Sequence, residues 1–332
     1  MLRIASKKRD TRQSEEECPP EERGKAELRR RTTANIQNAC RRRNTGTSAV
    51  LQDVGEIAKD YSMNDLDNND LLFHFTSVKK CIEYIMPEKR LKYSHLIDTN
   101  DPKEYSPIYH KLRNISIDDW GDEKFNKVLN GINETAKKKY GVICFCSNDY
   151  PAIYDKDGLK INNDIFLESW KRSRMWSQYA ENHFGFCLVI SKSKLSKQID
   201  TEKNVFQPVI YRYLDFNSDI INDLEKIDAN DIRGGIENEC IDDYIEKNFK
   251  LLFFTKNVDY RDEAEYRLIS KDERIKYCDI KDSLYGIIIG HRTNTVYHKL
   301  IEEFCLLSKI NCYKMGWKCG APLCVDNYSI KL

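Results

Sequence analysis

Phe186-Cys187-Leu188-Val189-Ile190 is apolar at every position. A strand with one face in water alternates apolar and polar residues. An unbroken apolar run this short therefore reads as a strand buried on both faces, and a chain that contains one must build layers on both sides of a sheet. Upstream, residues 165–181 read as a helix leading into a strand over 184–190. Trp176 and Tyr179, three apart, share a helical face. His183 and Gly185 sit at the junction. Two readings stay open for this segment: a helix–strand corner whose aromatics are core, or a rigid platform from which side chains reach a cleft.

Other short apolar runs have the same texture. Leu71 to Thr76, Gly141 to Cys146, Glu265 to Ile269 and Tyr285 to Ile289 read as strands, and together with 184–190 they are expected in one sheet. Ser77 is placed to cap a helix over Val78 to Met86, with Pro87 as its stop. Val205 to Tyr213 is strand-like, with Pro208 marking an edge or a break. Residues 217–250 are charged and helical, a helical insertion. A helix over 293–308 precedes a final strand pair. Strands and helices alternate without a regular βαβ repeat, so the expected class is α+β, with a mixed, largely antiparallel sheet and helical insertions.

The chain divides near residue 60. The first fifty residues carry 13 Lys and Arg against 7 Asp and Glu. Residues 1–60 are thus expected to be a basic, flexible arm, with a single α+β domain over 65–332. The arm is read either as a tail or as a weak nucleic-acid contact through residues 1–50. Net charge over the whole chain is +1, which gives no general affinity for polyanions. No apolar run is long enough to span a bilayer, and no apolar signal core opens the chain, so no membrane association and a cytoplasmic location are expected. The 12 cysteines lack Cys-x-x-Cys spacing and read as small buried hydrophobes; no disulfide and no metal are expected. Walker, dinucleotide-binding and Gly-x-Ser-x-Gly motifs are absent from the sequence, which sets aside three large enzyme classes.

Several short motifs occur in a recognisable order: Phe73-His74-Phe75-Thr76-Ser77, Asn100-Asp101-Pro102-Lys103-Glu104, Cys144-Phe145-Cys146-Ser147, Met175-Trp176-Ser177-Gln178-Tyr179-Ala180 with His183-Phe184-Gly185, and Tyr260-Arg261-Asp262-Glu263-Ala264-Glu265-Tyr266-Arg267. In this order they resemble a large bacterial family named only as a domain of unknown function, over roughly residues 70–290. That resemblance implies a cytosolic bacterial protein, in some cases linked with phage defence or mobile elements, and so a partner protein of a defence system.

Two of the motifs also resemble pieces of the ADP-ribosyltransferases. His74-Phe75-Thr76 is similar to the first-strand His and Thr that hold the nicotinamide ribose there, and Glu263-Ala264-Glu265 to the Glu-x-Glu whose second Glu is catalytic. The resemblance implies an ADP-ribosyltransferase-like fold, NAD as substrate, and a toxin or defence effector. Glu265, Glu263 and His74 are its catalytic candidates. Thr76, Tyr93, Trp176, Tyr179, His183 and Arg267 are its nucleotide-binding candidates, with Arg267 on the phosphates. Carboxylates suit this chemistry because breaking the nicotinamide–ribose bond builds positive charge on the ribose. On a strand, Glu263, Glu265 and Arg267 would share one face, and a bland surface Glu–Arg ladder is the competing account. Two alternatives stay open. One is a Mg²⁺-dependent nuclease using Asp101, Glu104, Glu263 and Glu265 with Lys256 or Arg267 at the scissile phosphate. The other is a non-enzymatic binding module of a defence complex.

Overall fold

The computed structural model describes residues 65–99, 101–106, 112–119, 121–149, 151–155, 159–161, 168–213 and 224–328. The basic arm of residues 1–60 lies outside them. Residues 64–332 form one compact unit.

Among the described residues, eight strands make the main sheet: β1 (Leu71–Thr76), β2 (Gly141–Ser147), β3 (Phe186–Ser191), β4 (Asn204–Pro208), β5 (Glu265–Ser270), β6 (Leu284–Ile289), β7 (Asn311–Lys318) and β8 (Ala321–Tyr328). Their order is β8-β7-β6-β3-β1-β2-β5-β4. Only β6 and β7 are parallel; every other neighbouring pair is antiparallel. The class is therefore α+β with a mixed, largely antiparallel sheet, and the five expected strands all lie in it. β3 is central and fully buried along its length, as its unbroken apolar run requires.

Apolar layers cover the sheet. On one face Leu72, Phe145, Leu188 and Ile287 pack under the helical segment that begins at Val78 and under the helix Val296–Ser308. The other face is divided. Phe73, Phe75, Val189 and Ile288 pack against Trp170, Met175 and Trp176. Val142 and Ile269 pack against helices Glu123–Glu134 and Glu237–Lys247. Within the charged stretch the described residues form the helices Ala229–Arg233 and Glu237–Lys247, followed by Phe249–Phe253.

Local departures from the sequence reading have physical causes. Ser77 does cap its helix, accepting from the Lys80 amide. Pro87 does not end it: a proline near the start of the last helical piece, Met86–Glu88, costs little there, and the stop is Lys89 in the left-handed region. The helix before β3 is only Ser173–Tyr179. It stops because Glu181, Asn182 and His183 are all left-handed, which turns the chain into β3. Two glycines make this turn possible. A Cβ on Gly185 would lie 2.2 Å from the Thr76 carbonyl oxygen, and one on Gly290 would lie 2.4 Å from that of His183.

Val205 to Tyr213 is two strands. β4 belongs to the main sheet, whereas Ile210–Arg212 pairs in parallel with Thr255–Asn257 and with Ile153–Tyr154 in a separate four-stranded sheet. Pro208 closes β4, and the Val209 amide donates back to the Glu265 carbonyl. Among the described residues, the cysteines are free and no helix is long and apolar enough to cross a membrane.

Trp176 is fully buried and meets Phe75 edge to face at 5.2 Å between ring centroids. Its indole N–H donates to the Trp170 carbonyl. Trp176→Ala is expected to destabilise the domain by about 3–5 kcal/mol, measured by equilibrium urea unfolding.

Candidate functional site

β1 pairs with β3 along six residues but with β2 only at Leu72 and Phe73. Beyond Phe73 the two strands part, and His74 bridges the gap: its Nδ1 lies 2.9 Å from the Cys144 carbonyl oxygen. A carbonyl can only accept, so Nδ1 carries the proton and Nε2 is left as an acceptor. Burial lowers the imidazole's proton affinity, opposed by the Cys144 bond and reinforced by Lys80. His74 is therefore neutral near pH 7.

A cleft of about 310 Å³ opens at this split. Phe73, Phe75, Met175 and Tyr179 supply its apolar wall, and Glu104, Glu263, Glu265, Lys256 and Arg267 its charged lining, with His74 and Lys80 alongside. The charged groups are buried, so each must be paired. Arg267 is fully enclosed. Its Nε donates to Glu265 Oε1 at 2.7 Å and its Nη2 to Glu265 Oε2 at 2.9 Å. Nη2 also pairs with Glu104, and Nη1 donates to the Phe253 carbonyl at 2.7 Å. Lys256 bridges Glu263 at 2.7 Å and Glu265 at 3.1 Å. The Tyr179 hydroxyl donates to Glu263 at 2.9 Å.

The two glutamates differ in proton affinity. Burial pushes both up. For Glu265, Arg267 and then Lys256 outweigh it and hold the carboxyl well below the usual carboxylate range. For Glu263, burial is only partly offset by Lys256, and the charge on Glu265 adds to it, so its proton affinity stays raised. One carboxylate is thus a fixed anion and the other can take a proton, a division of roles typical of paired acid–base groups.

Several sequence-derived candidates meet here: His74, Tyr179, Glu263, Glu265 and Arg267 all line the cleft. The bland account of Glu265 and Arg267 as a surface ladder does not hold, because both are buried. Glu263 is not on the strand. It ends a short helical turn, Val258–Glu263, and left-handed Ala264 separates it from β5. The two carboxylates meet through Lys256 rather than through strand alternation. Arg267 is held by Glu265, Glu104 and a carbonyl, so it supports the carboxylates where a phosphate role was expected.

Four candidates lie elsewhere. Tyr93 packs on the opposite face of the sheet, and its hydroxyl donates to Asn204. Thr76 is buried at the end of β1, beside Gly185. Trp176 lies behind Phe75. His183, held in the left-handed turn, packs near-parallel to Trp176 at 6.1 Å and near Ser173.

Sequence reasoning overlooked Arg172 and Lys80. Arg172 is buried and donates to the carbonyls of Ser147, Asp262 and Glu263, clamping the turn before β5 to the end of β2. Nothing local marks these contacts, since the carbonyls belong to residues 25 to 91 positions away. Lys80 follows a helix cap and reads as an ordinary surface lysine. Among the described residues, no three His, Cys, Asp or Glu side chains are arranged to hold a metal ion.

The fold and site define an α+β protein with a buried ion network at the floor of a cleft in a split sheet. A family model described as "Protein of unknown function (DUF2971)" matches residues 175–268, a shorter stretch than the 70–290 suggested by the motifs. No curated protein and no solved structure gives a significant match. The match takes in Tyr179, Lys256, Glu263, Glu265 and Arg267 and leaves out His74, Lys80 and Glu104.

His74 gives a pH signature. Below about pH 6.5 the unfolded imidazole takes up a proton that the folded one resists. The unfolded state then binds more protons, and stability falls as pH drops. In His74→Gln this contribution is absent. Melting temperatures between about pH 5 and 8 should fall less steeply towards acid in the variant than in the parent.

Proposed function

We propose that the cleft cleaves the nicotinamide–ribose bond of NAD, transferring ADP-ribose to water or to an acceptor. The observation that carries this reading is the Glu263–Glu265 pair, one fixed anion beside one carboxylate of raised proton affinity, in the same cleft as a neutral His74 whose Nε2 is an acceptor. The lining suits such a ligand. Phe73, Phe75, Met175 and Tyr179 offer an apolar wall for an aromatic ring. The carboxylates and His74 Nε2 accept from sugar hydroxyls. Lys80, on the cleft lining, offers a cation to a diphosphate.

The step balances without a redox partner. The C1′–N bond breaks, and its electron pair neutralises the pyridinium nitrogen, releasing nicotinamide. Positive charge builds on the ribose. The fixed charge of Glu265 stabilises it more in the transition state than in the ground state, because the buried network that holds the carboxylate is already oriented. A new bond forms between C1′ and the oxygen of water or of an acceptor hydroxyl. Glu263 takes the proton that this oxygen loses. Tyr179 and Lys256 hold Glu263 in place, and Arg267 fixes Glu265 against rotation.

Glu265→Gln keeps the shape and removes the fixed charge. NAD consumption by the purified protein, followed as nicotinamide release, should fall about 10²-fold or more in the variant. Mg²⁺-dependent cutting of nucleic acid with NAD untouched would move the assignment to the nuclease. Neither activity in the parent would leave a binding module.

A further inference from the structure

Glu104 faces the cleft in a way that the bond-breaking step does not use. It belongs to the short helix Pro102–Tyr105, capped by Asp101, whose carboxylate accepts from the Lys103 amide. The Lys103 ammonium donates to the carbonyls of Leu251, at 3.2 Å, and Thr255, at 2.6 Å. This ties the segment to the chain that carries Lys256. Held so, the Glu104 side chain is 1% exposed and still lines the cleft. Its Oε1 pairs with Arg267, whereas Oε2 is buried with no hydrogen-bond partner.

A buried carboxylate oxygen without a donor is unfavourable unless something in the cleft supplies one. No nearby cation serves Oε2: Arg267 meets Oε1 and sends its remaining N–H groups to Glu265 and the Phe253 carbonyl, and Lys256 pairs with Glu263 and Glu265. The unpaired Oε2 therefore favours a group that donates a hydrogen bond over one that is itself anionic. We infer that Glu104 contacts the ligand directly, accepting a hydrogen bond from a neutral amide and so selecting an aromatic carboxamide over the corresponding carboxylate. The inference rests on the proposed function for the place of the ring in this cleft, and its test is independent of turnover.

Nicotinamide and nicotinate differ at that one group and serve as probes. Their affinities for the full chain are measured by calorimetry, beside a thermal melt of each variant. The parent should prefer nicotinamide by about tenfold or more. In Glu104→Gln the amide oxygen can keep Arg267 while the amide nitrogen turns to the cleft, so the preference should vanish or reverse. A purely structural role would weaken both probes equally and leave their ratio unchanged. Should Glu104→Gln fail to fold, Glu104→Asp keeps the charge beside Arg267 and withdraws the second oxygen, and it should also shrink the ratio. An unchanged ratio, no preference in the parent, or no binding of either probe would overturn the inference. A ratio that moves with Glu104 while the parent leaves NAD intact would retain the contact and remove the glycosyl-transfer reading. NAD turnover with an unmoved ratio would do the reverse.

Discussion

Arg267 is the residue on which the cleft depends. Burying carboxylates beside one another is prohibitive unless a cation of matching geometry joins them. The planar guanidinium does this with one fork on Glu265, a second contact on Glu104 and a third bond to the Phe253 carbonyl. The network therefore joins three distant parts of the chain: the segment after residue 100, the end of the helical insertion, and strand β5. A lysine could not replace it, because a point charge cannot hold both oxygens of Glu265 and the neighbouring groups in one plane. Lys256 completes the network from the other side, and its ammonium also lies 4.8 Å from the centre of the Tyr260 ring.

The same arrangement explains why two glutamates two residues apart behave differently. Glu265 starts a strand and receives the guanidinium, and its own amide donates to the Tyr211 hydroxyl at 2.8 Å. Glu263 ends a helical turn, with left-handed Ala264 between them. The backbone kink sends the two side chains to Lys256 from different directions, which a continuous strand would not do. Environment, rather than residue type, divides their roles.

Period and apolar runs made the sheet legible. The runs at β1, β2, β3, β5 and β6 are short and apolar enough that burial on a sheet is their natural outcome. The identity of the charged residues was legible too, since Glu265 and Arg267 interrupt an otherwise apolar strand. Glu104 and Lys256 were legible only as members of the nuclease set, and the way they pair was not: Glu104 meets Arg267 across 163 residues, whereas Lys256 lies seven residues from Glu263 on the far side of a turn. Arg172 reaches backbone carbonyls that no side-chain pattern records. Tyr93 shows the limit from the other side: an aromatic in a plausible strand can face either way, and here the two-stranded pairing of Arg90–Lys92 with Tyr277–Asp279 puts its neighbourhood on the far face. The left-handed turn at Glu181, Asn182 and His183 was hidden because none of the three is glycine, and the glycines that permit it, Gly185 and Gly290, lie outside it.

The strand break at Val209 carries a consequence for how the chain can vary in length. β4 and Ile210–Arg212 belong to different sheets, with a single residue between them. Tyr211, on the second piece, meets the Glu265 amide, and the Val209 amide meets the Glu265 carbonyl. Side chains in extended chain alternate with period two. Adding or removing one residue at the joint would therefore turn Tyr211 away from Glu265 or slip β4 out of register with β5. Surface loops elsewhere tolerate such changes, but this joint admits only substitutions, so its length is as much a property of the cleft as any side chain in it.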